Sequence, residues 1–215
     1  LTDSTKKEYM GIFKIDSERI VVIPNFIDEN ILKYKKEYNK NSKLILSSGR
    51  FTVEKGFDMV PEIAEIIFSK HPDWQWHIYG DGPEYNNVKK KIQEKNLEKN
   101  IILKGFADNM YERYSDYGIF VLPSYREGFS LVLLEAKVNG IPAVSFDCVS
   151  GPGEIINSDV DGYLVPCYNK KVMAQKICTL IEDSELRIKF SENCFHNIGK
   201  FDKKRIMETW NKLID

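Results

Sequence analysis

The 215-residue chain lacks most of the features that would place it in a specialised class. Its longest apolar stretches, such as Ile119 to Pro123, fall far short of the ~20 residues that span a bilayer. Nothing resembles a secretory leader, so the expected compartment is the cytoplasm. The four cysteines, Cys148, Cys167, Cys178 and Cys194, form no Cys-x-x-Cys pair and stand at no metal-ligand spacing from histidine. They read as reduced, packed thiols, and no residue is assigned to a metal. An excess of one charge is missing too. With 31 basic against 32 acidic residues, for a net charge of -1, no global field favours nucleic acid, and any anion site must be local. His71, His77 and His196 have no partners at catalytic spacing. Internal repeats and low-complexity linkers are absent, so residues 1–215 read as one domain, long enough to bury a core without disulfides.

Short apolar runs alternate with longer stretches of helical period, the pattern of successive βα units in a parallel sheet. Seven strands are expected: Ile20-Ile23, Lys43-Ser48, Gln75-Tyr79, Ile101-Lys104, Ile119-Leu122, Pro142-Phe146 and Tyr163-Val165. Helices are expected at Phe57-Lys70, Pro83-Lys95, Met110-Ser115, Ser130-Asn139 and Val172-Ile181, with two more, Ser184-Gly199 and Asp202-Leu213, closing the chain. Pro83 would sit just inside one helix start, Gly140 just past another's end, and Asp202 at an N-cap. Pro61 fits only in the first turn of its helix. The fold class is therefore α/β, a Rossmann-like parallel sheet flanked by helices. Ligands of such sheets bind at the carboxyl ends of the strands.

Two βα loops carry chemistry. After the second expected strand comes Gly49-Arg50-Phe51-Thr52-Val53-Glu54-Lys55-Gly56. Its glycines let backbone approach a ligand, and Arg50 with Lys55 can meet a diphosphate as a fork and a point charge. The alternative is an ordinary turn with solvated cations. After Ile119-Leu122 comes Pro123-Ser124-Tyr125-Arg126-Glu127-Gly128-Phe129-Ser130, running into Leu131-Val132-Leu133-Leu134-Glu135. The free amides of Gly128 to Leu131 at a helix start can hold phosphate. Glu135 sits in an apolar segment, where a charge needs a partner: a ribose diol or a nearby Arg or Lys.

Other signals are weaker. Gly80-Asp81-Gly82 begins like a dinucleotide fingerprint, but Tyr85 replaces the third glycine and no acidic residue ends the next strand at Lys104, which speaks against a dehydrogenase. Asp159-Val160-Asp161 has Asp-x-Asp metal spacing yet precedes Gly162 in an expected surface turn. Lys89-Lys90-Lys91 reads as a solvated helix face, with a membrane-surface contact as the alternative.

Taken together and in order, Gly-Arg-x4-Lys-Gly at Gly49-Gly56, Tyr-Gly-Asp-Gly-Pro at Tyr79-Pro83 and Glu-Gly-Phe-Ser-x4-Glu at Glu127-Glu135 resemble the donor domain of family 4 glycosyltransferases. The last segment matches that family's Glu-x7-Glu signature. Weaker matches at Ile23-Pro24-Asn25-Phe26-Ile27-Asp28 and Asp161-Gly162-Tyr163-Leu164-Val165 extend the resemblance over most of the chain. Phe26 stands where many relatives have glycine.

The resemblance implies one half of a GT-B fold that binds a nucleoside diphosphate sugar, UDP-linked, and transfers the glycosyl group with retention and without an enzymatic nucleophile. It makes Arg50 and Lys55 the cations on the diphosphate and Glu127 the partner of donor-sugar hydroxyls. Gly49 would lie against the donor, the Gly128, Phe129, Ser130 and Leu131 backbone would contact sugar and phosphate, and Glu135 would bind the ribose. No cofactor is implied beyond the donor itself. A sugar or lipid-linked sugar acceptor would sit on a separate N-terminal domain, with peripheral membrane association of the full-length protein at the inner face. Leu1 to Thr5 reads as a strand end running into a helix cap, as in a chain already under way. Phe201 to Asp215 carries Ile206, Trp210 and Leu213 as an apolar stripe that the resemblance places near the interdomain crossing. Ser150 to Ile156 resembles a loop of bacterial relatives that use UDP-galactose or UDP-N-acetylhexosamines for surface polysaccharides. Rival readings are a sugar-nucleotide epimerase or phosphorylase half of the same fold, and a non-catalytic module whose Glu127-Glu135 helix is only core.

Overall fold

The computed structural model describes residues 2–214. At its centre lies a parallel sheet of six strands, β1 (Leu44–Ser48), β2 (Gln75–Tyr79), β3 (Ile101–Gly105), β4 (Ile119–Leu122), β5 (Ala143–Phe146) and β6 (Gly162–Val165), in the order β3-β2-β1-β4-β5-β6. The helices are α1 (Asp3–Phe13), α2 (Val60–Phe68), α3 (Tyr85–Glu94), α4 (Leu131–Val138), α5 (Pro152–Ile155), α6 (Lys170–Glu182), α7 (Ser184–Asn193) and α8 (Lys203–Ile214).

Period-two alternation sends neighbouring strand residues to opposite faces. Ile45, Ile119, Val121 and Val144 face a core shared with α2, α3, α6 and α7. Leu46, Phe120, Leu122 and Ala143 face a second core with α4 and α5. Both faces are covered, as a parallel sheet requires. Helix punctuation follows the sequence in most places: Pro61 lies in the first turn of α2, Gly140 follows α4 with φ 68°, and Asp202 Oδ1 accepts the Arg205 amide at 3.0 Å.

Several expectations are corrected. Ile20-Ile23 is not a strand; it runs over the surface with Val21 half exposed, and Pro24 removes a ladder donor beside it. Met110-Ser115 forms two 3₁₀ turns rather than an α-helix. Pro83 precedes α3, which begins at Tyr85. The helix expected over Ser184-Gly199 ends at Asn193, before Asn197 turns left-handed at φ 62°. At the amino end, Thr2 caps α1 through Oγ1, which accepts the Thr5 amide, while Leu1 lies outside the described residues. In α8 Ile206 is buried, and Trp210 and Leu213 are about half exposed; Asp215 also lies outside the described residues. No helix among the described residues is long and apolar enough to cross a membrane.

Candidate functional site

The strand order reverses between β1 and β4, which pair directly in the middle of the sheet. The loops leaving those two strands diverge to opposite faces and open a crevice at the carboxyl edge. Both loops singled out from sequence meet there. They are tied by backbone: the Tyr125 amide donates to Glu54 O at 2.7 Å, and Gly56, at φ 65°, lies so close that a Cβ would come 2.0 Å from Pro123 O. Gly80 closes the other side; its missing Cβ would fall 1.9 Å from Gly49 O.

Lys55 and Glu127 form an ion pair, Nζ to Oε1 2.8 Å, with the Glu127 side chain 5% and the Lys55 side chain 26% exposed. Ser124 Oγ donates to the same Oε1 at 2.7 Å. Glu127 Oε2 has no hydrogen bond among the described residues, and neither do the remaining Nζ protons of Lys55. The pair is buried yet half-used, with one acceptor and two donors to spare. Cys148 packs against Glu127; burial, reinforced by that carboxylate, pushes its thiol up to about 11.

Arg50 is exposed and makes no ion pair or side-chain hydrogen bond among the described residues. It lines a largely apolar cavity of about 360 Å³ with Tyr79, Phe106, Ala107, Met110 and Val132. Phe106 is 74% exposed, an aromatic face on the rim of the crevice. Ser130 occupies the N-cap of α4, but its hydroxyl caps no amide and is buried without a partner. The first turn of α4 therefore presents uncapped N–H groups and a positive dipole end to the crevice. Gly128 is exposed there, whereas Phe129 is buried against Phe201.

Glu135 lies one turn further along α4. It pairs with no cation among the described residues, so the sequence alternative of a salt bridge is not what the structure contains. Instead Tyr114, fully buried, donates its hydroxyl to Oε2 at 2.6 Å. Burial raises the Glu135 pKa, the Tyr114 bond lowers it, and the nearby Asp28 carboxylate raises it again. Glu135 also borders a second cavity of about 280 Å³ with Phe26, Asp28 and Tyr111.

Asp161, half of the Asp-x-Asp pair, is buried in an ion pair with Lys137 and accepts the Asn157 amide. Asp159 points to solvent near Lys176 at 3.7 Å. In the lysine run, Lys90 lies 3.8 Å from Glu94 and Lys91 pairs with Asp58. A larger concavity, about 940 Å³, runs along α2, α3 and the start of α6. Most of its charges are paired, as in Lys91–Asp58, Lys95–Glu65 and Lys170–Glu62, whereas the crevice sets an unpaired guanidinium near the uncapped start of α4. The crevice is therefore the better anion site.

Sequence reasoning missed Ser124, Tyr114, Cys148 and the Phe106 rim. Ser124 lies three residues before Glu127 in the same loop and was detectable; the others come from distant loops without a local signature.

A Rossmann-like sheet with two stitched βα loops and an uncapped helix start at its switch point defines a domain built to receive an anionic ligand. The chain belongs to the group 1 glycosyl transferases, whose family profile matches residues 28–196. It is 30% identical to poly(ribitol-phosphate) alpha-N-acetylglucosaminyltransferase of Staphylococcus aureus, across the whole of this chain and 43% of that protein. It is 26% identical to amylovoran biosynthesis glycosyltransferase AmsD of Erwinia amylovora, across the whole chain and 61% of AmsD. Among solved structures, S. aureus TarM in complex with fondaparinux, alpha-GlcNAc-glycerol and UDP superposes with a TM-score of 0.93 at 30% identity, covering all of this chain and 43% of TarM. The pneumococcal O-GlcNAc transferase GtfA in complex with UDP and GlcNAc superposes at 0.80 and 26% identity, over 99% of this chain and 43% of GtfA. The chain thus spans less than two thirds of these relatives.

Proposed function

We propose that the chain is the donor-binding part of a retaining glycosyltransferase acting on a UDP-linked hexose or N-acetylhexosamine in the synthesis of a bacterial surface polymer. The observation that carries this reading is the convergence, at the switch point, of Arg50, the half-used Lys55–Glu127 pair and the uncapped start of α4. The free Nζ protons of Lys55, the Arg50 guanidinium and the amides around Ser130 and Leu131 take the diphosphate. Glu127 Oε2 takes a sugar hydroxyl, and Glu135, already oriented by Tyr114, takes the ribose diol. Gly49 and Gly128 leave room for the donor, and Phe129 anchors the loop from behind. Negative charge grows on the departing diphosphate, where two cations and a helix start stabilise it in a partly desolvated crevice. The acceptor, a sugar or lipid-linked sugar, sits on a second domain, and the reaction takes place in the cytoplasm at the inner membrane face. TarM and GtfA, both described with UDP, support the choice of nucleotide.

Calorimetry tests it: UDP should bind with a Kd between roughly micromolar and millimolar, and Arg50→Ala should weaken it. Absence of UDP binding would refute the reading. Product analysis with the full-length enzyme separates transfer from epimerisation or phosphorolysis.

A further inference from the structure

We propose that His71, Cys178 and Glu182 form a binding site for a zinc-like transition metal ion, at the sheet edge opposite the crevice. Helices α2 and α6 both begin near the carboxyl edge of the sheet, run back along it and pack on each other. Their carboxyl ends therefore meet at the amino edge. His71 follows α2 by three residues, and Cys178 and Glu182 lie four apart on α6, so both project from one side of that helix. His71 Nε2 stands 3.0 Å from Glu182 Oε1, and the three ligand atoms all lie within 4.8 Å of one another.

Zinc bonds of about 2.0–2.3 Å in a tetrahedron place ligand atoms roughly 3.3–3.7 Å apart. The 3.0 Å pair and the 4.8 Å limit on all three enclose that range. Glu182, 58% exposed at its side chain, can swing to meet it, and an open fourth position suits water. A second observation points the same way. Cys148, Cys167 and Cys194 each donate their S–H to a backbone carbonyl, whereas buried Cys178 has no such acceptor among the described residues. A thiolate with an imidazole selects zinc, cobalt or copper over magnesium and calcium. The sequence hid the site because His71 and Cys178 are remote in the chain. Bound metal would clamp α2 to α6 and leave the crevice untouched.

The test is to strip the protein with chelator, remove the chelator, and titrate with cobalt(II). Expected are tetrahedral d–d bands and a thiolate-to-cobalt charge-transfer band saturating at one equivalent. The charge-transfer band should vanish in Cys178→Ser, and affinity should fall at least tenfold in Glu182→Gln, whose exposed position keeps the fold intact. Zinc at about a hundred times its Kd should raise the melting midpoint of the wild type by roughly 5–10 °C and that of the variants far less. UDP affinity should not change in either variant. No charge-transfer band, a band that survives Cys178→Ser, or equal zinc stabilisation of Glu182→Gln would overturn the proposal and leave His71–Glu182 as a plain imidazole–carboxylate bond.

Discussion

Replacing Lys55 by alanine removes the ammonium that lies 2.8 Å from Glu127 and leaves a carboxylate 5% exposed with only Ser124 as donor. Breaking a buried pair from one side typically costs 3–5 kcal/mol. Lys55 keeps a quarter of its side chain in solvent and Ser124 still donates, so the low end applies, about 3 kcal/mol. For a domain of this size that lowers the melting midpoint by roughly 6–12 °C. Arg50→Ala provides the contrast, because Arg50 has no partner to orphan; its stability should stay within about 0.5 kcal/mol of the wild type. Both variants should nevertheless lose UDP affinity by roughly ten- to a hundredfold, the scale of one charge-assisted hydrogen bond. Uridine should bind almost as before. The double variant Lys55→Ala/Glu127→Gln should recover most of the lost stability but none of the affinity, because the buried charge is gone along with its partner. Paired thermal melts and calorimetry report both quantities. If Lys55→Ala melts like the wild type, or if both single variants bind UDP undiminished, the half-used ion pair is not the anion site described here.

Four further outcomes follow from the same geometry. Burial raises the Glu135 pKa above its ordinary 4.5, so the folded state holds that proton more tightly and ionisation costs stability; the cost is absent in acid and complete once pH has risen past the raised value. Glu135→Gln should therefore gain stability over the wild type as pH rises from below 4.5 past the raised value, and should lose affinity for UDP but not for 2′,3′-dideoxy-UDP; equal losses would assign Glu135 a packing role. Gly56→Ala places a Cβ against Pro123 O at a left-handed φ, and should cost at least about 2 kcal/mol in urea melts. EDTA should leave UDP binding unchanged while added salt weakens it; a strict manganese requirement in calorimetry would remove the cations from their assigned role. This chain alone should bind UDP yet transfer no sugar, since correct placement of two reactants contributes as much as ~7–11 kcal/mol; turnover comparable to that of the full-length enzyme would put the acceptor site inside these residues.

Strands were legible where an apolar run is buried on both faces, as in Ile119–Leu122, or where buried apolar and half-buried polar residues alternate, as in Gln75–Tyr79; the bounds of both agree with expectation. Ile20-Ile23 is as apolar as Ile119–Leu122 but joins no strand, with Pro24 removing a ladder donor beside it, and hydrophobicity alone does not report that difference. Within the site, sequence located the loops, because glycine, cation and helix start each leave a local mark. It did not reveal that Lys55 and Glu127 hold each other, since that bond joins positions 72 residues apart. Tyr114 escaped for a similar reason: its turn looked like a short helix, and its role appears only once α4 brings Glu135 alongside. Asp161 gave the opposite lesson, a metal-like spacing explained by a lysine inside the fold.

The seam between the two loops, with Glu54 O accepting from Tyr125 and Gly56 seated on Pro123, has a kinetic consequence. A receptor whose jaws must first be ordered gathers ligand slowly, whereas one whose jaws are riveted together leaves encounter as the slow event. Arrival of the diphosphate at this crevice should then respond to solvent viscosity and ionic strength in the manner of a diffusional collision. A substitution that loosens the seam should register first in the association rate, with departure from the crevice little altered.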